Sequence, residues 1–132
     1  MHARLRHEFR IEAAHRLPRV AEGHRCARLH GHSFRIEIAL HGIVEPDSGW
    51  VMDFDRIAAA WAPVHESLDH RYLNDVAGLD NPTSENLARW IWEKVAPMLP
   101  GLARVTIWET CETACEYEGD GDTAIPHRMI ER

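Results

Sequence analysis

The chain opens on an alternation of apolar and charged side chains. Between positions 5 and 15 the odd residues, Leu5, His7, Phe9, Ile11, Ala13 and His15, are apolar or imidazole, while Arg4, Arg6, Glu8, Arg10 and Glu12 take the even places. A period of two predicts a strand with one buried face. The alternation returns at His30, where His30, His32, Phe34, Ile36, Ile38 and Leu40 share a face opposite Arg35, Glu37 and His41. The connection between the two strands, residues 16–29, reaches the length of about 12 to 15 residues at which a loop is usually functional or disordered.

Glu45-Pro-Asp-Ser-Gly49 is a turn cluster, after which Asp53 or Asp55 is placed to cap a helix carrying Phe54, Ile57, Ala58, Trp61 and Leu68 on one face. Pro63 is expected to kink or divide it, because an interior proline loses a hydrogen bond and crowds the preceding turn. Pro82-Thr83-Ser84-Glu85 opens a second helix with Leu87, Ile91, Val95 and Met98 at helical spacing, and Pro100-Gly101 closes it. Residues 103–110 alternate again, with Val105, Ile107 and Glu109 on one face, and residues 115–118 form a short fourth strand. The order ββααββ predicts an α+β fold, a four-stranded antiparallel sheet with two helices packed on one face. Residues 1–118 are expected to form one domain, and 119–132 a mobile extension without clear periodicity.

Composition narrows the function. A chain of 132 residues suits one compact domain. A net charge of −6 argues against a general nucleic-acid binder, which needs a basic surface to displace counterions. The amino terminus alternates charge with apolarity and so lacks the apolar run of a signal peptide. The longest apolar stretch, around Ile57 to Val64, is too short to span a bilayer. Three cysteines, an odd number, argue against a disulfide framework and for a reducing compartment. A soluble, cytoplasmic protein with a small-molecule ligand is expected.

Candidate chemistry sits at the strand ends. His15 closes the first strand and His30 and His32 open the second, all on the core-facing side. In an antiparallel pair these ends are neighbours, and residues i and i+2 point the same way. Three neutral imidazoles on rigid strands leave one tetrahedral position open, the pattern of catalytic zinc. His7, His24, His41, His65 and His127 are read as packing groups with satisfied polar atoms. Cys26 lies four residues before His30 in a loop that also holds Arg16, Arg19, Arg25 and Arg28. Positive charge lowers a thiol pKa, so a thiolate nucleophile or base is favoured there, with a fourth metal ligand as the alternative. The arginines point to an anionic, phosphorylated substrate. Cys111 and Cys115 are read as packing residues.

With His15 upstream, Cys26-Ala-Arg-Leu-His30-Gly31-His32 resembles the 6-pyruvoyl-tetrahydropterin synthase-like family. Gly49-Trp50-Val51-Met52-Asp53-Phe54, Leu68-Asp69-His70-Arg71-Tyr72-Leu73-Asn74, Asn81-Pro82-Thr83-Ser84-Glu85-Asn86 and Glu109-Thr110-Cys111 continue the resemblance in family order, over about residues 5–119. Glu12-Ala-Ala-His15-Arg-Leu-Pro18, the segment from Glu22 to Phe34, and Trp90-Ile-Trp92 are similar to the bacterial branch that makes 6-carboxytetrahydropterin for queuosine.

The resemblance implies the tunnelling fold, with sheets joined into a barrel and active sites between chains of a homo-oligomer, typically a hexamer. It implies zinc on His15, His30 and His32, Cys26 as catalytic thiolate, Asp69 and His70 as its acid–base partners, and Glu109 as pterin anchor. The implied reaction converts 7,8-dihydroneopterin triphosphate to 6-carboxy-5,6,7,8-tetrahydropterin, acetaldehyde and triphosphate. A synthase that keeps the carbon chain, giving the 6-pyruvoyl product, and a non-catalytic zinc-stabilised binding module are the alternatives.

Overall fold

The computed structural model describes residues 1–121. Its frame is the long hairpin that the alternation predicts. Strands β1 (His2–His15) and β2 (His30–Ile43) pair antiparallel in unbroken register, from His2 opposite Ile43 to His15 opposite His30. Odd residues of β1 and even residues of β2 turn to one side, where Ile11, Phe34, Ile36, Ile38 and Leu40 are fully buried. Burial of each such side chain stabilises the fold by about 1.5 to 3 kcal/mol, so the strands that carry the histidines are held rigidly. The opposite side is polar, with Arg6 paired to Glu37 at 2.8 Å and Arg35 to Glu8 at 3.5 Å.

Helix α1 (Phe54–Leu68) starts at Asp53, whose side chain accepts the Asp55 N–H at 2.9 Å, and it buries Ile57, Ala60, Trp61, Val64 and Leu68. Strand β3 (Arg71–Tyr72) follows directly. Helix α2 (Ser84–Val95) starts at Thr83, which accepts the Asn86 N–H at 3.1 Å, and it buries Leu87, Ala88, Ile91 and Val95. Strands β4 (Leu102–Trp108) and β5 (Ala114–Tyr117) complete the chain, and both helices share one apolar core with the sheet.

The sheet order is β3-β1-β2-β4-β5. The four long strands are antiparallel as expected. The fifth, β3, runs parallel to β1 beside Ala13 and Ala14, so the sheet is mixed. Two residues are too few to show a period, and sequence alternation has nothing to register there.

Pro63 does not divide α1. Pro63 and Ala59, whose carbonyl loses its partner, are both exposed residues on the outer face of the helix, so the proline ring does not crowd the core. Two residues placed on apolar helix faces also point outward: Phe54 is 50% exposed and Met98 43% exposed. Phe54 is the first residue of α1, and α2 gives way at Ala96–Met98 to a 3-10 turn containing Pro97. Of the expected C-terminal extension, residues from 122 onward, including His127, lie outside the described residues. No helix among the described residues is long and apolar enough to cross a membrane.

Candidate metal centre and active site

The hairpin register sets His15 directly opposite His30, and His32 follows two residues along on the same face. One potential ligand nitrogen from each of the three lies within 4.8 Å of the others. The rings stand edge to face, at 65° between His15 and His30, 83° between His15 and His32, and 86° between His30 and His32. His15 Nδ1–H donates to the Pro82 carbonyl at 2.9 Å, and His30 Nδ1–H to the Arg28 carbonyl at 2.7 Å. Those bonds fix the tautomer and leave each Nε2 bare.

Nε2 of His15 and of His32 is buried without a hydrogen-bond partner. A buried polar atom left unpaired is costly, and a cation shared by the three nitrogens would satisfy them together. Burial pushes the proton affinity of His15 and His32 below the ordinary imidazole value. The neutral ring that results is the form a metal requires. Three nitrogen donors around an open position suit zinc.

Cys26 stands outside this cluster. It lies half-buried in a 3-10 turn (Arg25–Ala27), whose first N–H groups are capped by His24: the Cys26 N–H donates to His24 Nδ1 at 3.0 Å. The Leu17 N–H donates to the Cys26 carbonyl at 2.8 Å and ties the turn to the start of the loop. Cys26, Arg25, His30, His32, Glu109 and Cys111 line a common pocket of about 680 Å³. Of the four loop arginines, Arg25 lines this pocket, whereas Arg19 lines another cavity beside Asp80 and Arg89.

Glu109 follows the last residue of β4 and is half-buried. Its Oε1 accepts the Ser84 hydroxyl at 2.6 Å, and its Oε2 lies 3.9 Å from His32 Nε2. Ser84 belongs to the start of α2, where its hydroxyl reads in sequence as a capping group, and only the packing of α2 on β4 reveals its hold on Glu109.

Asp69 and His70 sit at the end of α1. The Asp69 carboxylate accepts the Glu12 N–H through Oδ1 at 2.8 Å and His70 Nδ1–H through Oδ2 at 2.8 Å. The Glu12 N–H, followed by the His70 imidazole, holds the Asp69 carboxyl below its usual range. Neither residue lines the Cys26 pocket. His70 opens instead onto a cavity of about 540 Å³ that it shares with Glu12, Ser33 and His32. The packing expected of the remaining cysteines holds in part: Cys115 is half-buried, and burial pushes its thiol up, but Cys111 is exposed.

The sequence model of the 6-pyruvoyl tetrahydropterin synthase family matches residues 4–120. The chain is 46% identical over 116 residues to 6-carboxy-5,6,7,8-tetrahydropterin synthase of Synechocystis sp., with 83% of this chain and 88% of that protein covered. It is 38% identical over 121 residues to dihydroneopterin monophosphate aldolase of Pyrococcus furiosus, covering 89% of this chain and 99% of the relative. Among solved structures, 6-pyruvoyl tetrahydropterin synthase of Caenorhabditis elegans superposes with a TM-score of 0.82 at 27% identity, over 91% of this chain and 97% of the other. The fold is therefore that of these pterin enzymes, and the chain belongs to the 6-pyruvoyl tetrahydropterin synthase family.

Proposed function

We propose that this chain is a zinc-dependent carbon–carbon lyase that converts 7,8-dihydroneopterin triphosphate and one water to 6-carboxy-5,6,7,8-tetrahydropterin, acetaldehyde and triphosphate. One observation carries the reading: His15, His30 and His32 gather their ligand nitrogens within 4.8 Å, beside the pocket that Cys26 and Glu109 line. The choice of product is supported by the 46% identity to a relative of that name. The reaction belongs to queuosine or deazapurine formation in the cytoplasm.

His15, His30 and His32 would hold the zinc, which when bound would supply Lewis-acid polarisation of the substrate's side-chain hydroxyls and so make the neighbouring C–H more acidic. Cys26 takes a proton from that carbon as thiolate. Glu109, held by Ser84 through Oε1, offers Oε2 to the N–H donors of the amino-pyrimidinone edge and so fixes the pterin. His70, with Nδ1–H donated to Asp69, has Nε2 free to carry a proton. Since His70 and Cys26 line different cavities within one chain, the reading includes a homo-oligomer, a hexamer, whose subunits complete each other's sites.

Two further readings have support of their own. The 38% identity to an aldolase favours cleavage of dihydroneopterin monophosphate, and the family name favours the 6-pyruvoyl product. Incubation with each phosphorylated dihydroneopterin, followed by product separation, discriminates them. Acetaldehyde and the 6-carboxy product from the triphosphate support the lyase proposed here. Turnover of the monophosphate alone, or a pyruvoyl product without aldehyde, overturns it.

A further inference from the structure

Asp69 occupies the C-cap of α1, its N–H donated to the His65 carbonyl at 2.8 Å. A carboxylate at that end of a helix meets the negative pole of the helix dipole, an unfavourable place for a charge. Two donors offset it, the Glu12 N–H on Oδ1 and the His70 Nδ1–H on Oδ2, and a third polar group stands close by: His65 Nε2 lies 3.4 Å from the same Oδ2, an i,i+4 ion-pair contact. Helix geometry delivers that third group, because residues four apart stack on one face and Pro63 leaves α1 unbroken. The His65 ring stands edge-on to buried Trp61, with 6.2 Å between centroids, and Trp61 stacks on Phe9 at 4.8 Å.

His70 itself is under constraint. With φ of 56° it is the one non-glycine residue in the left-handed region among the described residues, and its N–H donates to the Glu12 carbonyl at 2.6 Å. Sparsely populated backbone conformations persist where the surroundings over-determine them, and such places cluster at functional sites. Asp69 and His70 are thus fixed from three sides: by β1 through Glu12, by their mutual bond, and by α1 through His65.

We propose that His65 is a positioning residue for this pair, bracing Asp69 Oδ2 from the helix side so that the carboxylate faces His70 Nδ1 and leaves His70 Nε2 as the proton-carrying nitrogen. The inference rests on the reading of Asp69 and His70 as the acid–base pair, and it gives work to a histidine whose spacing alone assigns it to packing. His65 does not touch the reacting atoms and acts through Asp69.

Two variants test it. His65→Phe keeps a ring against Trp61 and removes the polar nitrogen that faces Asp69; His65→Gln keeps a polar side chain at similar reach. The first readout is the ¹⁵N NMR signature of His70 in zinc-loaded protein without substrate. Wild type shows the Nδ1-protonated tautomer, His65→Phe shows a mixture of tautomers, and His65→Gln restores the single form. The second is turnover of dihydroneopterin triphosphate. His65→Phe loses roughly fivefold in kcat, the upper end for a partly exposed pair, with KM and zinc content unchanged, and His65→Gln regains most of the loss. His65→Leu carries the same test if the phenylalanine disturbs folding. An unchanged His70 tautomer in the folded variant overturns the proposal. A tautomer change in a protein that does not turn over the substrate overturns the reaction assigned above and leaves the positioning role standing.

Discussion

Glu109→Gln is the sharpest perturbation of the proposed pterin site, because it alters charge with almost no change of shape. In the wild type Oε1 is occupied by the Ser84 hydroxyl at 2.6 Å, so Oε2 is the oxygen left toward the pocket, 3.9 Å from His32 Nε2. In the variant the Ser84 hydroxyl selects the amide oxygen as its acceptor. That choice turns the amide NH2 toward the pocket, where a pterin presents its own N–H donors. A charge-assisted acceptor is replaced by a facing donor, at a cost of about 1.5 to 3 kcal/mol, or roughly a tenfold to hundredfold weaker pterin binding. Fold stability moves little, by less than about 1 kcal/mol, since the carboxylate is only partly buried and its bond to Ser84 survives. Calorimetric titration of 7,8-dihydroneopterin into zinc-loaded wild type and variant, with thermal melts alongside, measures both quantities. Equal affinities in two folded proteins would remove Glu109 from the site and refute the argument.

Cys26→Ala should keep its zinc while turnover falls to background, checked by metal analysis and product formation; loss of zinc with the thiol would make Cys26 a ligand. Gly101→Ala should destabilise by about 2 kcal/mol or more in urea unfolding, because φ is +86° and a Cβ there would stand 2.6 Å from the His41 carbonyl oxygen. The metal-free protein should lose stability as pH falls. Burial depresses His15 in the folded state, while the unfolded chain takes its proton near the ordinary value of about 6.5, so the contribution is complete above that pH and is lost as pH falls toward the folded value. Melts of chelator-treated wild type and His15→Leu between pH 8 and 5, about the range of imidazole titration, check this, and identical slopes would contradict it.

The site was legible where it rests on strand phase. His15, His30 and His32 share the parity of Ile11, Phe34 and Ile36, so the alternation that predicts the core also predicts which way the histidines point. The same parity placed Glu109 toward the buried side, although β4 ends one residue earlier. What sequence could not supply is contact between elements distant along the chain. Ser84 reaches Glu109 only because α2 packs on β4, and Asp69 reaches Glu12 only because the chain turns after α1 to lay β3 along β1. The break expected at Pro63 failed for a local reason: an interior proline costs a hydrogen bond, but here the proline and the residue whose carbonyl it frees are both on the exposed face. Phe54 and Met98 followed helical spacing yet fell at helix ends, where the apolar stripe no longer meets the sheet.

The account turns on the metal, and the most direct test is the zinc content of the purified protein set against that of His30→Ala. His30 is half-buried at the mouth of the cluster, so its removal takes one of three donors without opening the core. One zinc per wild-type chain, retained through dialysis and restored after chelation, with the variant retaining little, is the predicted result. A variant that keeps a full zinc complement and its turnover, or a wild type that binds no zinc when loaded, would contradict the central claim.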